Sequence, residues 1–372
     1  MKPQRLYLVA GEASGDLHGS NLVKAIKKLH PGAEIRCWGG NLMQEAGAHL
    51  VSHYRERAFM GLWEVIKNLK TILGFLQKAK EDILQWKPDV LVLIDNPGFN
   101  MRLAKFAKKQ GIPVHYYIAP KVWAWNTKRV YKLKKYTDRV YSILPFETEF
   151  FKHYGVNAQY VGNPVVDAVE EFKATHPKKH ETEPFVALLP GSRAHEISQA
   201  MPVFAGLAQN MPSVQFRVAA APSLDASFYN QFGLPQNVKL YFNQTYSLLQ
   251  DCRAAVVTSG TATLETALFN APQVVCYRVA ALTYFIGKRV IKVPYISLVN
   301  LILNRRAVPE LIQNDFNPQT LAEQVQQIWE GPARDKMLRD YEELSLLIGG
   351  PGASKRCAEE IVRGVGQVLP DL

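Results

Sequence analysis

The chain has 372 residues, more than one hydrophobic core usually organises, so two domains are expected. With 47% hydrophobic and 21% charged residues, its composition excludes a disordered or fibrous protein. A formal net charge of +11 calls for an anionic partner, and nucleic acid, acidic lipid headgroups and phosphorylated metabolites all satisfy it. Cys37, Cys252, Cys276 and Cys357 lie far apart with no C-x-x-C pair, which argues against a disulfide framework or a zinc site and fits a reducing compartment. The apolar run at 6–10 is too short for a signal peptide. No stretch reaches the roughly 18 apolar residues of a spanning helix, so any membrane contact is expected to be peripheral.

In chain order, residues 6–10 read as a strand, 11–19 as a glycine-containing turn and 17–29 as a helix, together a βα unit. Apolar runs at 90–94 and 114–118 predict buried parallel strands, and runs at 139–143 and 159–161 continue the alternation. Residues 1–168 are assigned to a first domain. Residues 169–184, polar and nearly free of aliphatic side chains, are assigned to a linker. Strands then recur at 185–189, 214–219, 238–242, 254–257 and 273–277, giving a second domain at 185–340. A helical segment at 341–372 fits either domain. The fold class expected is α/β, two Rossmann-like doubly wound domains with the carboxyl ends of their strands facing a cleft.

Loops that follow strands are where such folds place chemistry. Gly11-Glu12-Ala13-Ser14-Gly15-Asp16 turns tightly but lacks the glycine spacing of dinucleotide and P-loop sites, so a plain βα turn capped by Asp16 is a standing alternative. Asp95 closes an apolar strand and can serve as a general base or as a turn and cap residue. Pro190-Gly191-Ser192-Arg193 offers amides and a guanidinium to a diphosphate. Ser259-Gly260-Thr261 opens a helix that a phosphate can approach, with Glu265 one turn in to accept from ribose hydroxyls. No Asp-x-Asp motif supplies metal ligands, and His49 and His53 lack a third partner.

Taken together, GEASGD at 11–16, LIDNPGFN at 93–100, PKVWAWN at 120–126, LPFE at 144–147, LLPGSR at 188–193, SGTATLE at 259–265 and SLVNLI at 297–302 resemble the lipid-A-disaccharide synthases over nearly the whole chain. The resemblance implies a GT-B arrangement and an inverting, metal-independent transfer without cofactor. The substrates it implies are UDP-2,3-diacylglucosamine and 2,3-diacylglucosamine 1-phosphate, and the products the β-1,6 disaccharide 1-phosphate and UDP. By matching motif, Asp95 is the catalytic base, with His18 a competing guess outside the motif. Arg193 binds the diphosphate; Ser259, Gly260, Thr261 and Glu265 hold the UDP portion, and Asn300 completes the donor site. Glu12, Ser14 and Asp16 face the reaction centre.

The stretch 59–76 places Met60, Trp63, Ile66, Leu69 and Leu73 on a helix edged by Lys67 and Lys70, suited to acyl chains or an anionic bilayer surface, or to packing on its own sheet. Lys128, Arg129, Lys132, Lys134, Lys135 and Arg139 form a basic run that suits phosphate headgroups or the acceptor's 1-phosphate, and equally a solvated helix face. The expected location is cytoplasmic, peripheral on the inner membrane of a Gram-negative bacterium. No nucleic-acid module is recognisable, and the oligomeric state is not specified. The rivals are a UDP-N-acetylglucosamine 2-epimerase, a peptidoglycan-type N-acetylglucosaminyltransferase, and a basic nonenzymatic binder of lipid or RNA.

Overall fold

The computed structural model describes residues 4–57, 69–178, 183–280, 284–285 and 293–366. They form two compact units, Met1–Pro164 with Pro351–Leu372, and Val165–Gly350. Both are doubly wound α/β units, as the strand pattern predicts.

The first unit holds a seven-stranded sheet: β1 (Arg5–Ala10), β2 (Glu34–Gly39), β3 (His49–His53), β4 (Val90–Ile94), β5 (Val114–Tyr117), β6 (Arg139–Ser142) and β7 (Ala158–Tyr160). Their order is β3-β2-β1-β4-β5-β6-β7, and every pairing is parallel. Helices cover both faces, so the central strand β4, VLVLI, is buried along its whole length. One face packs Leu91 and Leu93 against Ala79 and Ile83 of the helix Leu69–Trp86 and Leu103 of the helix Pro97–Lys109. The other packs Leu8, Val90 and Val92 with Leu22, Val23 and Ile26 of the helix Ala13–Leu29.

That second face is completed from the far end of the chain. Cys357, Ala358 and Ile361 of the helix Ala353–Gly366 join the same core. Arg139 pairs with Glu360 at 3.2 Å, and the Arg356 guanidinium donates to the Val161 carbonyl at 2.8 Å. The closing segment, assignable to either domain from sequence, thus belongs to the first unit.

The second unit holds β8 (Phe185–Leu189), β9 (Gln215–Ala220), β10 (Val238–Phe242), β11 (Ala254–Thr258), β12 (Gln273–Tyr277) and β13 (Glu310–Ile312), in the order β10-β9-β8-β11-β12-β13, again all parallel. The 169–184 stretch differs from an extended linker. Through Thr175 it is the end of the helix Pro164–Thr175, because Phe172 finds apolar partners: its ring meets Tyr246 and Phe269 edge-on and stacks on His176. Residues 179–182 lie outside the described ones.

Among the described residues no helix is long and apolar enough to cross a membrane. Met60, Trp63 and Ile66 lie outside the described residues, Leu69 opens the helix Leu69–Trp86, and Leu73 on that helix is 49% exposed.

One buried group makes the first unit sensitive to acid. His115 on β5 lies in contact range of Gly364 on the last helix, and its Nδ1 is 3.1 Å from the Tyr141 hydroxyl. Burial, reinforced by Arg139, pushes its imidazole down to about 4. The unfolded chain binds that proton at about pH 6.5, so the neutral ring stabilises the fold above that pH and this stability is lost as pH falls toward about 4, roughly 3 kcal/mol over the window. Urea unfolding midpoints are expected to fall between about pH 6.5 and 5, and His115→Gln to flatten that decline. An unchanged slope in the variant would assign the acid sensitivity elsewhere.

Candidate active site

In each sheet the strand order reverses once, between β1 and β4 in the first unit and between β8 and β11 in the second. At such a switch point the connections on either side run to opposite faces and leave a crevice beyond the strands' carboxyl ends. The motif loops occupy these two places.

In the first unit β1 is followed by Glu12 and then by the helix Ala13–Leu29, which starts earlier than the sequence pattern predicts and carries Ser14 and Asp16 in its first turn; the loop after β4 carries Asp95. Asp95 and Asn96 both adopt left-handed backbone, with φ of 48° and 42°. The turn is held from beneath. The Asn100 side-chain amide reaches the carbonyls of Val9, Ile94 and Asp95 at 3.3, 3.1 and 2.8 Å, and the Tyr116 hydroxyl donates to the Asp95 carbonyl at 2.5 Å. The two loops touch at Gly11, where a Cβ would stand 1.8 Å from the Asn96 Nδ2, so only glycine admits the Asn96 side chain.

Asp95 is half-buried. Burial raises its pKa, the Glu12 carboxylate raises it further, and the Asn96 amide and the Lys121 ammonium oppose both. Ser14 donates to Glu12 at 2.9 Å and so fixes the nearer of these charges.

Asp16 is placed differently. Its buried carboxylate accepts from the backbone amides of Gly40, Leu42 and Met43 at 2.8, 3.2 and 3.1 Å, capping the short helix Asn41–Glu45. With both oxygens engaged it shapes the loop rather than presenting a free anion. His18 is half-buried on the helix Ala13–Leu29.

The tryptophan motif serves packing. Trp123 donates to Glu147 at 2.9 Å, and Glu147, 1% exposed, also accepts from the amides of Ile143 and Leu144 at 3.2 and 3.1 Å. PKVWAWN and LPFE are therefore two halves of one buried clamp, and Lys121 is the member of that motif whose charge reaches Asp95.

In the second unit, the loops after β8, β9 and β11 enclose a cavity of ≈470 Å³ lined by Arg193, Glu196, Ser259, Gly260, Thr261 and Glu265 among others. The cationic and amide groups of its wall hold a carboxylate of the same wall. Glu196 lays its carboxylate on the Arg193 guanidinium at 3.1 Å and on the amides of Ser192 and Arg193 at 3.3 and 3.4 Å. Glu265 accepts from the Tyr246 hydroxyl at 2.8 Å, and burial raises its pKa. Ser259 donates to the Ile296 carbonyl at 3.0 Å, tying the phosphate-type loop to the segment that precedes the helix Leu298–Leu303.

Asn300 is brought to that segment but not to the cavity wall. Its amide donates to the Val308 carbonyl and to Glu310, both at 2.9 Å, and its oxygen accepts from the amides of Ala307 and Val308 at 2.8 and 2.9 Å. Every hydrogen-bonding position of the side chain is filled, and Glu310 also takes the amides of Ile296 and Ser297. Asn300 acts on the cavity through the loop it holds. Asn100, Tyr116, Lys121, Glu196 and Tyr246 were not foreseen from sequence. Of these, Asn100 closes LIDNPGFN and Lys121 lies in PKVWAWN, both within sequence motifs but with no role assigned to them.

Comparison with known proteins matches this arrangement to one family. The sequence profile described as lipid-A-disaccharide synthetase covers residues 6–360. Similar relatives include the lipid-A-disaccharide synthases of Myxococcus xanthus, 39% identical over 97% of both chains, and of Syntrophus aciditrophicus, 41% identical over 96% of this chain and 97% of that one. Solved structures share the fold at low identity. The UDP-GlcNAc 2-epimerase from Neisseria meningitidis bound to UDP-GlcNAc has a TM-score of 0.66 at 13% identity over 97% of this chain and 100% of its own. The calicheamicin glycosyltransferase has 0.67 at 17%, covering 100% of both. The profile match and the full-length relatives show that the chain belongs to the lipid-A-disaccharide synthase family, the glycosyltransferases that form the lipid A disaccharide.

Proposed function

We propose that Asp95 is the general base of this transfer and that the cavity of the second unit holds the UDP of the donor, UDP-2,3-diacylglucosamine. The 6-hydroxyl of 2,3-diacylglucosamine 1-phosphate attacks C1 of the donor sugar opposite the diphosphate. The O6–C1 bond forms, the bond from C1 to the phosphate oxygen breaks with its electron pair leaving on UDP, and the proton passes to Asp95. Configuration at C1 inverts, giving the β-1,6 linkage.

The observation that carries this reading is the half-buried Asp95 carboxyl, on a left-handed turn held by Asn100 and Tyr116. A carboxylate whose pKa is raised is a stronger proton acceptor than an exposed one, and the Lys121 ammonium opposes the rise. The charge arriving on UDP is met by Arg193 and the loop amides, where the Glu196 carboxylate now sits and would be displaced. Glu265 accepts from ribose hydroxyls. Asp16 and Asn300 support their loops.

The acylated substrates favour work at an anionic bilayer surface, on the cytoplasmic face of the inner membrane of a Gram-negative bacterium. The exposed Leu73 on the helix that continues the 59–76 pattern supports this.

Asp95→Asn is expected to lower kcat about 10²- to 10⁴-fold with the fold intact. Activity of wild type should fail on the acid side as Asp95 protonates, and charge changes beside it should move that limb in opposite directions. Glu12→Gln removes a like charge, lowers the Asp95 pKa and shifts the limb to lower pH. Lys121→Met removes the opposing charge and shifts it to higher pH. Profiles of kcat/KM against pH check the signs, and limbs that move together would sink the assignment.

Arg193→Lys keeps the charge but loses the fork, and the KM for the donor is expected to rise about tenfold. Initial rates at fixed acceptor concentration test it, and an unchanged donor KM would remove Arg193 from the diphosphate.

A further inference from the structure

The first unit contains another cavity, of ≈290 Å³, that none of these roles uses. It opens at Pro97 and Gly98, immediately past the Asp95 turn. Its apolar part is Met101, Val122 and Leu133, and its charged part is Arg102, Arg129 and Lys132. Val122 and Leu133 are 3% and 1% exposed and form a dry floor. The three cationic residues are exposed and form a rim. Among the described residues no carboxylate lines it, in contrast to the cavity of the second unit, whose wall includes Glu196 and Glu265.

Two guanidinium groups and an ammonium lining one cavity suit a phosphate monoester, which takes several charge-assisted hydrogen bonds at once. An apolar floor beneath them suits a ligand whose anionic group is joined to hydrocarbon. Arg129 and Lys132 lie three apart, a spacing that brings side chains to one face of a helix, and Arg102 comes from the separate helix Pro97–Lys109. The rest of the basic run is placed otherwise. Arg139 pairs with Glu360, and Lys128, Lys134 and Lys135 do not line the cavity.

We infer that this cavity seats the anomeric phosphate of the acceptor glycolipid, its floor covering the start of an acyl chain. The inference rests on the reading of Asp95 as the base for that acceptor. The 6-hydroxyl and the 1-phosphate are carried on either side of the ring oxygen of one hexose. A base at Asp95 and an anion seat whose lining begins at Pro97 address two neighbouring groups of a single sugar. Selection of a phosphorylated acceptor then falls to Arg102, Arg129 and Lys132.

The test uses the full chain with Arg102→Ala and Lys132→Ala, singly and combined, and Lys128→Ala with Lys135→Ala as a control of equal charge change. In mixed micelles the combined cavity variant is expected to raise the KM for 2,3-diacylglucosamine 1-phosphate about tenfold or more, and the control pair by less than twofold. Against 2,3-diacylglucosamine lacking the phosphate, read as substrate or as competing inhibitor, wild type and the cavity variant should become equal. A cavity variant that affects both acceptors alike, or neither, overturns the inference. So does a variant that loses only co-sedimentation with phosphatidylglycerol vesicles, which would make the cavity a membrane headgroup site. The contrast between the two acceptors is a binding effect, independent of which group takes the proton. An Asp95→Asn enzyme with full turnover would therefore remove the base without deciding the phosphate seat.

Discussion

Both sheets are wholly parallel, and most of what matters in this protein follows from that constraint. Parallel neighbours cannot be joined by a tight turn, so each strand needs a crossover, and right-handed crossovers bury the strands between helices. Every loop that leaves a strand then emerges at one edge of its sheet. Where the order reverses, at β1/β4 and β8/β11, the helices part and the loops stand clear. Asp95 leaves β4 and Arg193 follows β8; their placement is a property of topology before it is one of side chains.

Within that frame the Asp95 turn is the strained element. Two consecutive left-handed residues without glycine cost on the order of 1–3 kcal/mol each. The Asn100 amide and the Tyr116 hydroxyl bond the carbonyls at this point, and Gly11 leaves the room that Asn96 needs. The carboxyl is thus aimed by the backbone, and its neighbours Glu12 and Lys121 set its proton affinity from opposite signs. Rigidity is bought with strain.

The apolar strands were legible because burial on both faces leaves a continuous hydrophobic run, as in β4 and β8. β2 and β3 were not. In β2, Arg36 pairs with Asp82 at 3.0 Å and lies over the Trp86 ring, so a charged residue breaks the apolar run. β3 is an edge strand with histidine at both ends, and β13 is three residues long. Placement at the end of a strand could be read where a motif follows an apolar run, as with Asp95 and Arg193. Asp16 and Asn300 show the limit of that reading. Both lie in motifs, yet their hydrogen-bonding atoms are taken up by backbone amides and carbonyls, a state that depends on chain folding 24 or more residues away for Asp16 and on a short return loop for Asn300. Lys121, Tyr116 and Tyr246 reach the sites only through tertiary packing, which no local spacing encodes.

The return of the last helix to the first unit has a consequence for how the protein is made. The chain leaves that unit at Pro164 and comes back at Pro351. Until the ribosome has released Cys357, Ala358 and Ile361, the apolar stripe of Leu22, Val23 and Ile26 lacks part of its cover. The domain begun first is therefore the one finished last, while the second unit can close around its own sheet in the interval. For that time the nascent first unit exposes an aliphatic groove shaped for a helix, and any factor that shields the growing chain would have to be displaced by the chain's own final turns.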